Sequence, residues 1–177
     1  MLFTDLSIWT MIHGIVLGGT TLMALSAALY SLHTMRTLDG AGVAAHNQSR
    51  SLSRLTVFVA VALWVTVLVG TYINFPPYRA TPPEGITHLS RYPRSLVLAN
   101  PETAWLHAFA MESKEHMPWI AAMLATAVAF VSVRYRSKLL SNPQLRNTGV
   151  MFLAICFVLV AFTGLLGIFV NKVAPLQ

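Results

Sequence analysis

The chain has 177 residues, of which 55% are hydrophobic and 10% charged, with mean hydropathy +0.62 and a formal charge of +6. That balance excludes an ordinary water-soluble domain, in which roughly a quarter of the residues carry charge. One cysteine excludes an internal disulfide, and the excess of Lys and Arg lies in connections between apolar segments, so it implies anionic lipid headgroups rather than nucleic acid.

Four apolar segments, about 7–32, 55–74, 112–133 and 149–170, are each long enough to cross a hydrocarbon core. Such a core is roughly 30 Å thick and needs about 20 helical residues. The expectation is an all-α, integral membrane four-helix bundle, a single transmembrane domain over 1–177. The first segment is not expected to be a cleaved signal peptide. It is too long, lacks a basic start, and carries Asp5 and His13 near its beginning. After His13 come Gly14, Gly18 and Gly19, then a small, mildly polar stripe of Thr20, Ala24, Ala27 and Ser31. Gly14-x-x-x-Gly18 is a pattern that lets a second helix, or a flat ring, approach the backbone. By itself the stripe is more often a packing face; a histidine at its end favours a cofactor groove. His33, beside Arg36, reads as interfacial.

The second segment carries an apolar stripe, Val57, Val61, Trp64 and Leu68, suited equally to lipid and to a neighbouring subunit. It ends in Leu68-Val69-Gly70-Thr71-Tyr72-Ile73-Asn74. The fourth segment ends in the similar Leu165-Leu166-Gly167-Ile168-Phe169-Val170-Asn171. His13 precedes Gly70 by 57 positions and His107 precedes Gly167 by 60, a spacing that fits a duplicated helical hairpin as well as chance similarity. Between the halves, residues 75–103 hold Pro76, Pro77, Pro82, Pro83, Pro93 and Pro101, which predicts a stiff external loop. Its length suggests a lid or docking surface, and Phe75, Tyr78, Ile86, Leu89, Tyr92, Leu96 and Val97 give it something to pack with. His46 and His88 are expected in solvent.

The third segment opens with AWLHAFAMESKEHM, residues 104–117, the densest group of ionisable side chains beside an apolar run. Such groups at a bilayer are costly and more often functional than decorative, although a solvated, snorkelling patch is the bland alternative. His107 and His116 are nine residues apart, about 900° of rotation and about 13.5 Å of rise, so a straight helix cannot point both at one metal. Glu112 lies one turn before His116 and is placed to orient its ring. Pro118 frees the carbonyl of Lys114, where a kink is expected. In the fourth segment Cys156 reads as inert packing. No phosphate-binding glycine loop, CxxC pair or nucleophile elbow is present, so stand-alone enzyme chemistry has little foothold.

Orientation follows from Lys and Arg. One side holds Arg36, Arg50, Arg54, Arg134, Arg136, Lys138 and Arg146; the other holds Arg79, Arg91, Arg94 and Lys172. That bias puts both termini outside, periplasmic for a bacterial inner membrane. The leading functional expectation is a b-type cytochrome-like subunit, moving electrons between quinone and an external redox partner. Haem b would be held by His13 with either His107 or His116, beside Gly14 and Gly18, with Glu112 in support. The acidic neighbour favours His116 and the repeat favours His107. A non-catalytic anchor subunit of a larger respiratory or photosynthetic complex is the second expectation. Copper or another metal on His13, His107, His116, Met11, Met111 and Met117 is the third.

The order of features resembles the four-helix membrane proteins of the copper-resistance-D and HemJ type, the latter a protoporphyrinogen oxidase family. The resemblance rests on His13-Gly14-x-x-x-Gly18-Gly19 in the first helix, Gly70 late in the second, and Lys114 and His116 early in the third. It covers the helices and leaves out the loop around 76–101. It implies a haem- or copper-handling membrane bundle. This chain departs from the pattern in having Trp9 before the histidine, with no Trp between His13 and the glycines.

Overall fold

The structure, a computed structural model, describes residues 4–35 and 43–175, with side chains from residue 46 in the second stretch. Four helices are long and apolar enough to cross a membrane: α1 (Asp5–His33), α2 (His46–Arg79), α4 (Pro101–Arg134) and α6 (Pro143–Val173). Two short helices, α3 (Pro93–Ala99) and α5 (Arg136–Ser141), lie in the connections. Arg36, part of the orientation count, lies outside the described residues.

Helix ends reach beyond the expected apolar windows because local chemistry sets them. Asn100 and Asn142 each precede a proline at the first helical position, and their side-chain oxygens accept from the backbone N–H groups of Glu102 (2.9 Å) and Leu145 (3.1 Å). An Asn cap followed by Pro satisfies an orphan donor and presets the backbone, so α4 starts at 101 and α6 at 143. Thr4 caps α1 in the same way, accepting from Ser7 N–H. The window approach locates hydrocarbon-length stretches and is blind to these polar first turns.

The helices pack in a cycle. α1 lies against α2 and α6, and α4 lies against the same two. α1 turns Thr21, Ala24, Leu25, Ala28 and Leu32 inward, whereas Thr20 and Ala27 of the expected small stripe face outward. α4 contributes Ala121, Ala122, Ala125 and Ala129, small residues that let backbones come close. Cys156 is fully buried there, its thiol on the Ala121 carbonyl at 3.3 Å. Of the α2 stripe, Val57, Val61 and Leu68 are exposed as expected. Trp64 instead turns to α4, donating to Thr126 Oγ1 (3.0 Å) and meeting Trp119 edge-on. The outward faces are themselves apolar, including Met23, Phe58, Met123, Phe130, Val158 and Ile168. A helix apolar all round belongs in a hydrophobic surround.

The expected loop is shorter than 75–103. Residues Phe75–Arg79 extend α2 and Pro93–Ala99 form α3, leaving mainly 80–92 without helix. Proline is tolerated in the first turn of a helix, which is where Pro93 stands, and Pro76 and Pro77 open the short α-helical stretch Phe75–Arg79 with which α2 ends. Within 80–92, Gly85 has φ +84, a conformation that favours glycine, and Ile86 N–H closes the turn on the Pro83 carbonyl. The folded parts of this connection are packed. Tyr78 and Val97 join Leu106, Ala110, Met111, Leu166, Val170 and Ala174 in a second core at the end where α1 and α4 begin.

Ala121 offers a direct check of the α4–α6 seam. Ala121→Leu should overpack it, costing about 1–3 kcal/mol and lowering the unfolding temperature in detergent. Met123→Leu, on the outward face, should leave that temperature unchanged.

Candidate functional site

Three stretches of the long helices are wound as π-helix: Ile12–Gly18 in α1, Gly70–Asn74 in α2 and Leu106–Met111 in α4. All three lie at the same end of the molecule. A π turn costs hydrogen-bond geometry and is found mostly at functional sites, because it re-aims neighbouring side chains. Here the first contains His13, the second begins at Gly70, and the third ends just before Glu112 and Lys114.

The His13 ring lies on the backbone of α2 at Gly70. A Cβ at Gly70 would come within 2.8 Å of His13 Cε1 and 3.2 Å of Nε2, closer than real contacts allow. The missing side chain is therefore the space the imidazole occupies. His13 Nδ1 is buried and has no hydrogen-bond partner among the described residues. A buried polar atom left this way costs free energy unless a water or another polar atom meets it.

A second contact of the same kind joins the other pair of helices. A Cβ at Gly167 would meet Lys114 Nζ at 3.0 Å and Cε at 3.6 Å. Gly70 and Gly167 are the shared glycines of the two similar helix ends, so each helix pair places one long nitrogen-bearing side chain on one glycine. Lys114 is half-buried. The counterpart of His13 in the other helix pair is Lys114, which precedes its glycine by 53 positions.

The other expected site residues are placed elsewhere. His107 is half-buried with Nδ1 3.1 Å from the hydroxyl of Tyr78, tying α4 to the end of α2. His116 is exposed, and its Nδ1 lies 2.8 Å from the main-chain carbonyl of Glu112. A carbonyl only accepts, so Nδ1 carries the proton and Nε2 is the free nitrogen. Glu112 thus orients the ring through its backbone, while its exposed side chain makes no bond to it. Gly14 has open space where a Cβ would go, and Gly18 would meet only the His13 carbonyl at 3.4 Å. The close approach expected of Gly14-x-x-x-Gly18 is made by the glycines of α2 and α6 instead. Among the described residues, no three His, Cys, Asp or Glu side chains converge where a metal ion could sit.

Sequence pattern alone undervalues Gly70 and Gly167 as contact points, and Lys114 as the residue opposite the second. The signal was present in the repeated Gly with Asn four residues later. Their helical partners were invisible because the π turn in α4 changes which residue faces α6.

Filling the niche should free the ring. Gly70→Ala is expected to raise the rate at which an imidazole-directed acylating reagent modifies His13, and to lower thermal stability. Gly14→Ala meets no neighbour and should leave the modification rate as it is, so peptide mapping of the two variants checks the assignment.

Comparison with protein-family models, with curated proteins and with solved structures gives no match for this chain.

Proposed function

We propose that the chain crosses a membrane four times as a helical bundle and binds one b-type haem at the end that carries His13, serving as an electron-transfer subunit. The observation that supports this reading is the buried Nδ1 of His13, without a partner among the described residues, on a ring seated where only glycine leaves room. A histidine nitrogen is a proper iron ligand, and apolar helices supply the low-polarity surround in which such cofactors work. The second nitrogen donor is Lys114, on its own glycine niche, in place of His107 or His116. His107 is engaged by Tyr78 and His116 is turned to the exterior. When bound, the haem would supply one-electron chemistry; His13 and Lys114 would hold it, and the packed cover formed by Tyr78, Leu96 and Val97 would limit access of water from that end.

In this reading the Arg-rich end faces the cytoplasm and both termini face outward, with quinone or a periplasmic redox subunit as exchange partner. The likeness of the two helix ends then follows from a duplicated hairpin, its halves contributing His13 with Gly70 and Lys114 with Gly167. An anchor subunit without cofactor is the competing reading, favoured by the exposed Val57, Val61 and Leu68. For copper, no three His, Cys, Asp or Glu side chains converge among the described residues.

A reduced-minus-oxidised visible spectrum of the protein purified in mild detergent separates these readings. The expected result is a sharp b-type band pair, absent in His13→Ala and converted to a five-coordinate, carbon monoxide-binding form in Lys114→Leu. His107→Phe and His116→Ala should keep the wild-type spectrum. Full haem occupancy in His13→Ala would overturn the assignment, and a featureless wild-type spectrum would leave the anchor reading.

A further inference from the structure

On α4 the face turned away from the bundle carries Phe109, Glu112, His116, Ile120 and Met123, all exposed and spaced three or four residues apart. That spacing makes one stripe along a helix. The opposite face, with Ser113, Ala121, Ala122 and Ala125, is buried. Every other member of the outward stripe is apolar, so one imidazole and one carboxylate interrupt a surface made for hydrocarbon. His116 lies 18 residues before Arg134, about 27 Å along a regular helix. The pair therefore stands at the rim of a hydrocarbon core roughly 30 Å thick.

The bland account of such a pair is that both side chains snorkel to water, and the imidazole is not arranged for that. Its Nδ1 donates to the main-chain carbonyl of Glu112 at 2.8 Å, which holds the ring against its own helix. Nε2 is left as an acceptor, and the ionised carboxylate of Glu112 one turn earlier only accepts. The exposed side chains from Phe109 to Ile120 thus offer two acceptors and no donor. Aromatic surface borders them. Phe109 meets Phe162 of α6 edge-on at 6.3 Å, and half-buried Trp119, three residues after His116, packs on Trp64. A ligand that suits this place dissolves in the bilayer, presents an aromatic ring and brings two hydroxyl hydrogens.

We propose that His116 and Glu112 bind the hydroquinone form of a membrane quinone, which reaches them sideways from the bilayer. One ring hydroxyl donates to His116 Nε2 and the other to the Glu112 carboxylate, side chains one helical turn apart with Cβ atoms about 5–6 Å from each other. The oxidised quinone carries carbonyls instead and would set acceptors against acceptors, so the site selects the reduced form. A phospholipid phosphate is also an acceptor, and the carboxylate repels it. The inference deepens the exchange-partner reading and rests on the chain spanning a membrane. Binding needs no haem, so the two can fail separately.

Recovery from carbonate-washed membranes comes first; loss into the wash would overturn the membrane reading and this site with it. The protein in lipid nanodiscs is then titrated without oxygen with decylbenzoquinol or decylbenzoquinone, empty nanodiscs giving the partition background. Saturable quinol binding above background is expected, about tenfold tighter than quinone, the effect of one hydrogen bond that the carbonyl form cannot make. His116→Phe keeps an apolar ring and should bring quinol binding down to the level of quinone. Glu112→Gln adds a donor, so quinone binding should rise while quinol binding falls, an exchange that a structural role would not produce. Glu102→Gln, in the first turn of α4, should change neither. Circular dichroism confirms that each variant is folded, and Glu112→Gln carries the test if His116→Phe is not. Equal binding of the two forms by the wild type, or undiminished quinol binding in His116→Phe, would overturn the proposal. So would full displacement of the quinol by added phosphatidylglycerol, which would mark a lipid-headgroup site. Quinol binding by a protein without a haem spectrum would sink the haem reading and keep this one; a normal haem spectrum without quinol binding would do the reverse.

Discussion

Two missing Cβ atoms govern how polar chemistry enters this molecule. Between apolar helices there is no water to solvate an imidazole or an ammonium group, and a side chain on the facing backbone would exclude either one. Gly70 and Gly167 remove that side chain at one point on α2 and one on α6. The helices can then stay close elsewhere, through Ala121, Ala125 and their neighbours, while His13 and Lys114 still find room. The cost is borne by geometry: three π turns cluster at this end, and the regular α-helix returns once the site is passed.

The two ends of the molecule have opposite characters. The His13 end holds the acidic residues, the packed cover of α3 and the side chains with the most constrained surroundings. Among the described residues the other end is purely cationic, with Arg136 held by Ser53 and Arg134 stacked on Tyr135. Ser53 is central there, because its hydroxyl meets the Ser132 carbonyl of α4 as well as the Arg136 side chain of the following turn. A polar link of this kind between α2 and α4 sets their register where small residues alone would let them slide.

Much of the architecture was legible from hydropathy, and the reason is physical. Four apolar stretches of sufficient length have few alternatives to helix, and their outward faces in the structure are as apolar as that requires. The helix starts were legible in principle, since Asn100-Pro101 and Asn142-Pro143 are complete capping signals. Proline density misleads over 75–103, because Pro93 and Pro101 occupy first-turn positions where they assist a helix, and Pro76 and Pro77 open the α-helical stretch that ends α2. The site was half legible. His13 stood out, and so did the repeated glycines. Pairing them was out of reach, since ideal 100° spacing fails across a π turn and assigns His107 or His116 a direction that Lys114 takes instead.

Each π turn amounts to one residue inserted into an otherwise regular helix. Beyond it, every side chain is rotated by about 100° from where an unbroken α-helix would place it. The ancestral form of α1 or α4 can therefore be pictured as one residue shorter, with its inward stripe running straight from end to end. Insertion at the rim would turn the first two helical turns relative to the packed middle without disturbing the middle at all. His13 and the AWLHAFAM stretch lie on the turned portions, or within the turns themselves. Sequence comparison among close relatives of this chain would then have to admit single-residue gaps inside helices, at places where alignments ordinarily forbid them.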